Sequence, residues 1–293
     1  MSNPASHSFP HIPVSSSIWF ITGINRGLGR CLAEDVLRRG GKVAGTVRNL
    51  ASADDLKRRF PGQIWVGELD LSDLANIPNV FHAAVGHFGR VHAVVSNAAY
   101  SLLGAAEELE LDAIRHIVDT NLTGSIQLAR AAVAHMRPAG GGRIIQISIG
   151  AGQAAFAGLS LYCATKWGIE GFFDALAQEV TGFDIGVTIV EPGTIRTGFG
   201  TSGVLSPELD AYRGGPVGML RQMAASGYSA PGDPVKMAKA IVDTFEVPVA
   251  PPLLVLGPDA YGYIKTALTA RLEQLEAYKD ITMATDCDGD GAR

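Results

Sequence analysis

A chain of 293 residues, 47% of them hydrophobic, is long enough for one large core or two small ones. Its net charge of −5 argues against nucleic acid as the main partner, and no apolar run approaches the ~18 residues that a bilayer-spanning helix needs. Cys31, Cys163 and Cys287 are too scattered for a disulfide framework or a zinc knot, so a reducing, cytoplasmic setting is expected.

The first seventeen residues, MSNPASHSFPHIPVSSS, are polar and proline-rich, with neither the apolar stretch of a secretory signal nor an arginine-rich transit pattern. They read as a flexible tail ahead of a domain over 18–280. SIWFIT (17–22) reads as a buried strand, followed by a glycine-rich turn and the helical LGRCLAEDVLRRG. Further strands are expected at 42–47, 64–69, 91–96, 142–148, 185–190 and 253–257. Helical patterns lie between them, as in Ile169, Phe172, Phe173, Leu176 and Val180. Continuous apolar strands alternating with helices imply an α/β fold: one doubly wound Rossmann-type domain with a parallel sheet and helices on both faces. The glycine- and proline-rich region 198–234 follows a strand's C-terminal end, where such sheets bind ligands, and is expected to be a substrate lid. Residues 281–293 read as a second flexible tail, since DCDGDG (286–291) lacks the closing glutamate of a calcium loop. His82, His87 and His92 recur at an interval that aligns on neither a helix nor a strand, so no metal site is expected.

Two stretches carry chemistry. FITGINRGLGR (20–30) sets Gly23, Gly27 and Gly29 between a strand and a helix, where glycine permits a tight turn and lets phosphate reach the helix's positive end. Tyr162 and Lys166 stand four residues apart, on one helical face. A free tyrosine's pKa of ~10 is too high for proton exchange near neutrality. A lysine's charge, with that of oxidised nicotinamide, would lower it. No carboxylate closes the second strand to take a ribose hydroxyl; Arg48 stands there and Arg26 precedes Gly27. Two guanidinium groups suit a 2′-phosphate, so NADP is the expected cofactor.

The glycine spacing and the Tyr-x-x-x-Lys pair resemble the short-chain dehydrogenase/reductase family, most closely over residues 17–200. The resemblance implies that Asp70, in LDLSD, hydrogen-bonds adenine and that Asn97, in SNAAY, lies beside the cofactor, with Ala99 where the family has glycine. In EPGTIRT it gives Thr197 the nicotinamide end. Asn25, Leu28, Leu71 and Ile195, in these same segments, complete the expected cofactor-binding set with Gly23, Arg26, Gly27, Arg48, Tyr162 and Lys166. Asn121 interrupts an otherwise helical stretch, as a family asparagine does to kink the helix and hold a water on the lysine's proton relay.

One position departs. Thirteen residues before the tyrosine, where the family has a carbonyl-orienting serine, stands Ile149. Ser148 is its neighbour and faces the other way on an extended strand, unless the turn slips by one residue; with that slip it joins Tyr162, Lys166 and Asn121 as catalytic. The expected activity is hydride transfer between NADP(H) and a small-molecule ketone or secondary alcohol of apolar character. The alternative is a catalytically impaired nucleotide-binding regulator or sensor. Family resemblance further implies a homo-oligomer, a dimer or tetramer.

Overall fold

Each run expected as a strand pairs into one parallel sheet. In the computed structural model, which describes residues 12–198, 203–226 and 229–286, the strands are β1 (Ile18–Thr22), β2 (Lys42–Val47), β3 (Ile64–Glu68), β4 (Ala93–Ser96), β5 (Leu102–Leu103), β6 (Gly142–Ile147), β7 (Ile185–Pro192), β8 (Val204–Leu205) and β9 (Leu253–Leu256). Seven of the described strands form a sheet in the order β3-β2-β1-β4-β6-β7-β9, and β5 pairs with β8 apart from it. Trp19 of β1 registers with Val43 on one side and Ala93 on the other, so the chain reverses its winding at β1 and β4. The crevice that this reversal opens at the strands' C-terminal ends is where such sheets take ligands.

The helices are α1 (Gly27–Arg38), α2 (Asp54–Arg59), α3 (Ile77–Phe88), α4 (Leu111–Val118), α5 (Gly124–Met136), α6 (Ser160–Glu179), α7 (Pro216–Ala225), α8 (Pro234–Asp243), α9 (Pro258–Ala277) and α10 (Lys279–Met283). Successive strand residues point to opposite faces, and both faces are covered. Trp19, Ile21, Val43 and Ile147 pack with Leu32 and Val36 of α1 and Ile241 of α8. Phe20, Val94, Ile144 and Ile189 pack on the other face with Phe81 of α3, Leu128 of α5 and Phe173 of α6. Phe20 meets Phe81 edge-on at 5.1 Å. Burying each such side chain stabilises the fold by about 1.5–3 kcal/mol, which is why the strands carry few polar residues.

Of the expected first tail, residues 1–11 lie outside the described residues, and the rest is corrected. Val14 is buried in the first core, its N–H donating to Glu246 at 3.2 Å. The Ser17 hydroxyl donates to the Val14 carbonyl and accepts from the Trp19 indole, both at 2.7 Å. One valine and paired hydroxyl bonds anchor a segment whose composition is otherwise tail-like. At the other end α10 runs past the expected boundary at 280, and residues 287–293, with most of DCDGDG, lie outside the described residues. His92 is structural: its Nδ1 accepts the Ile18 N–H at 3.1 Å.

Candidate active site

The turn from β1 into α1 needs its glycines for two distinct reasons. Gly23 and Gly27 take φ of +74° and +61°, the left-handed region. Gly29 has ordinary helical geometry, but a methyl group there would run into the Gly23 carbonyl and the Asn97 amide. Asn97 braces the turn: its side chain donates to the Thr22 carbonyl at 2.8 Å, and the backbone N–H groups of Asn97 and Ala98 both donate to the Thr22 hydroxyl at 2.9 Å. Arg26, at the N-cap of α1, makes no side-chain capping bond. The first-turn N–H groups of α1 therefore remain available to an anion such as a pyrophosphate.

A cleft of about 780 Å³ opens above this turn. It is bordered by Gly23, Asn25, Arg26, Gly27, Leu28, Arg48, Asp70, Leu71, Asn97, Tyr162, Lys166, Ile195 and Thr197, so the expected cofactor residues converge on one space. Thr46, Asn49 and Ser52, which sequence reading missed, border it beside Arg48. Asn49 is legible in retrospect as a cap, because its side chain accepts the Ala51 N–H at 3.0 Å. Burial opposes ionisation of Asp70, yet the Ser72 amide and hydroxyl, at 2.9 and 2.7 Å, outweigh it and hold the carboxyl below its ordinary pKa. Arg48 is exposed and adds a weaker pull in the same direction.

Tyr162 and Lys166 are both buried, with the ammonium 5.7 Å from the tyrosine ring centre and donating to the Ile147 carbonyl at 3.1 Å. Burial foremost, then Cys163 and Tyr263, holds the Tyr162 hydroxyl well above its ordinary pKa, so the lysine does not lower it in the protein alone. Burial likewise pulls Lys166 down to about 8, against the pull of Glu170. A buried phenolate lacks water, and one partly neutral ammonium does not replace it.

Asn121 does not border the cleft. It is buried in a π-helical turn, Asp119–Thr123, between α4 and α5. Its side chain clasps the Tyr100 backbone in both directions, accepting from the N–H at 3.1 Å and donating to the carbonyl at 2.8 Å. The helix interruption expected from the sequence is this turn, which carries one extra residue. Ile149 has extended backbone and packs with Tyr162, Leu102 and Leu159 on the cleft wall. Ser148 borders the cleft, but its hydroxyl donates to Glu170 Oε1 at 2.5 Å. In this arrangement the Ser148 hydroxyl is engaged by Glu170, and Ile149 stands where the resemblance expects the orienting serine.

The expected lid is more ordered than its glycines and prolines suggested, although residues 199–202 and 227–228 lie outside the described residues. Val204 of β8, the strand partner of Leu102, lines the cleft together with Leu103 and Ile149 and with Leu220, Met223 and Ala224 of α7. Glu108 fastens these elements. Its carboxylate accepts from the Ala105 N–H at 2.6 Å, the Leu209 N–H at 2.8 Å and Arg221 of α7 at 2.8 Å. Arg221 also donates to the Ser206 carbonyl and hydroxyl, both at 3.0 Å.

A sequence model described as short chain dehydrogenase matches residues 17–204. Among curated proteins, oxidoreductase BOA17 of Botryotinia fuckeliana is 31% identical over 275 residues, covering 92% of this chain and 99% of that one. A short-chain dehydrogenase from Streptomyces avermitilis superposes with a TM-score of 0.86 at 35% identity, over 93% of this chain and 99% of its own. A short chain dehydrogenase from Burkholderia cenocepacia, in complex with NADP, shares the fold with a TM-score of 0.68 at 22% identity, over 84% and 98% of the two chains.

Proposed function

We propose, from the premise that this chain belongs to the short-chain dehydrogenase/reductase family, that it is an NADP(H)-dependent oxidoreductase interconverting an apolar ketone and its secondary alcohol. The observation that carries this reading is that Tyr162 and Lys166 open into the same cleft as the glycine turn. The residues fit a dinucleotide phosphate: uncapped helix N–H groups for the pyrophosphate, Asp70 for the adenine end, and Arg48 and Arg26 for the 2′-phosphate. Proteins of the same fold solved with 5-hydroxy-NADP and with NADP support that choice. Bound nicotinamide would supply the hydride.

The chain's own residues do the rest. Tyr162 gives its proton to the oxygen that gains charge, and Lys166 stabilises the tyrosine as it does so. Asn121 fixes the segment at Tyr100 that forms one wall. Leu102, Leu103, Ile149, Leu159, Val204 and Leu220 make the substrate end largely apolar, which favours ketones without charged substituents. With Ile149 in place of a hydroxyl, substrate orientation rests on shape and on Tyr162 alone. A cytoplasmic homo-oligomer is the setting this reading takes.

The test is NADPH oxidation against a panel of aryl and alicyclic ketones. Turnover is expected in the unmutated protein, and Tyr162→Phe should abolish it while leaving NADPH affinity within about threefold. Retention of more than a few per cent of the rate would assign the proton to another group. Tight NADPH binding with no turnover on any ketone would favour the sensor reading, which Ile149 motivates.

A further inference from the structure

Behind the tyrosine and lysine lies a polar pocket that the mechanism above leaves unused. In the β6–β7 register Ile147 stands opposite Val190, both in the core beneath α1 and α8. The next pair, Ser148 and Glu191, therefore points to the other face, the one covered by α6. From α6, Tyr162, Lys166 and Glu170 follow at four-residue steps, hence on one helical face. All are buried, Glu191 completely and Glu170 to within 6%. The two carboxyls act on each other, and neither makes a salt bridge with a lysine or arginine among the described residues.

Two buried carboxyls that feel each other do not both ionise, so the pair holds one proton. The hydrogen bonds decide which member carries the charge. Glu170 accepts the Ser148 hydroxyl on one oxygen and the Gln153 amide on the other, whereas among the described residues no donor sits within hydrogen-bonding geometry of either oxygen of Glu191. Burial foremost, with Glu191, raises the Glu170 carboxyl to about 8 against the pull of its two donors, so Glu170 takes its charge in the range where Lys166 loses its own, while Glu191, without such donors, keeps the proton. One turn along α6, the Lys166 ammonium has, among the described residues, only the Ile147 carbonyl as a hydrogen-bond partner. The other titratable groups facing this pocket are Tyr162 and Asp174 of α6, and Tyr263 and Asp259 of α9. None of these is a cation; the exposed Arg271 of α9 reaches the pocket's edge at the Gln153 carbonyl, at 2.6 Å. Glu170 is thus the anion next to Lys166 on its own helix face, and its electrostatic effect on the lysine opposes that of burial.

We propose that Glu170 and Glu191 form a one-proton carboxyl pair whose anionic member, Glu170, keeps the Lys166 ammonium charged for the proton step at Tyr162. Glu170 is a positioning residue: it touches neither substrate nor cofactor and acts through the lysine. The proposal rests on the reading of Tyr162 and Lys166 as the proton-handling pair.

The experiment follows Lys166 itself. In the full chain labelled with 13Cε-lysine, its NMR signal, identified by its loss in Lys166→Met, is titrated with pH, and the pH profile of ketone reduction is recorded in parallel. Removing the anion in Glu170→Gln should lower the Lys166 midpoint by about one pH unit or more, a tenfold change in the ratio of charged to neutral lysine at a given pH. The fall of the rate with rising pH should move to acid by the same amount. Glu191→Gln, isosteric with the protonated acid, should leave the midpoint unchanged or raise it, and Glu170→Asp should restore most of the original value. Equal midpoints in the unmutated protein and Glu170→Gln would overturn the proposal, as would equal acid-ward displacements in the two glutamine variants. If Glu170→Gln does not fold, Ser148→Ala decides: by removing a donor to Glu170 it should displace the midpoint the same way by less, and no displacement refutes the pair. Should no ketone be reduced, the carbonyl-reductase reading falls, while the lysine titration still tests the pair.

Discussion

Ile149 packs on the cleft wall beside Tyr162, so a hydroxyl placed there would face the cleft, whereas that of Ser148 is committed to Glu170. Ile149→Ser should raise kcat on small ketones by up to about 100-fold, the worth of one donor at a developing oxyanion. The gain should fall on kcat more than on KM, because the bond strengthens as charge develops. An unchanged kcat in steady-state assays would mean that the missing hydroxyl does not limit the rate. Arg48 allows an equally local test. It is exposed at the end of β2, and Arg48→Asp should cost NADPH about ten- to a hundredfold in kcat/KM, the loss of a charge-assisted hydrogen bond, and favour NADH. Equal use of both cofactors by the unmutated enzyme would remove the basis for the assignment.

Among the elements, β8 and α7 depend on a single carboxylate. Glu108 accepts from the 105–108 turn, from Leu209 and from Arg221, so it joins three segments. Glu108→Gln keeps the shape but gives up the charge on which Arg221 depends. KM for the ketone should rise about tenfold with little change in NADPH affinity, and amide exchange along α7 should quicken; unaltered exchange would show that the latch is not what orders this helix. That latch could not be read from the sequence, because Glu108 and Arg221 are 113 residues apart and their pairing depends on tertiary folding. The same holds for Glu170 and Glu191, which meet only because β7 lies beneath α6. By contrast, the sheet strands were legible from their apolar runs, and the glycine turn and the Tyr162–Lys166 step from spacing, since each is set by local geometry. Ser148 and Ile149 were separable for the same reason: alternation along a strand is local. The direction of Tyr162's pKa was not legible, because burial is a property of the packed whole.

At the scale of the molecule, acid sensitivity follows from histidines held as neutral acceptors. His92 accepts from β1, and His135 accepts the Val91 N–H at 3.1 Å. Burial foremost, then Arg90 and His135, pulls His92 down to about 4. The unfolded chain takes this proton near pH 6.5 and the native chain near 4, so the contribution is complete above 6.5 and lost as pH falls between those values. The loss amounts to about 2–3 kcal/mol at most. Urea unfolding at pH 7 and pH 5 should show it, and His92→Asn, which keeps an acceptor that does not titrate, should flatten the difference; an unflattened slope would place the sensitivity elsewhere. The strand order has a further consequence. Arg48, Asn49 and Ser52 lie beyond β2, separated from β6 by β1 and β4, whereas Tyr162 and Lys166 lean on β6. The segment after β2 is therefore an exchangeable cassette: replacing residues 48–52 as a block should rewrite which currency of reducing power the protein draws on, while the repertoire of carbonyls it accepts is inherited untouched.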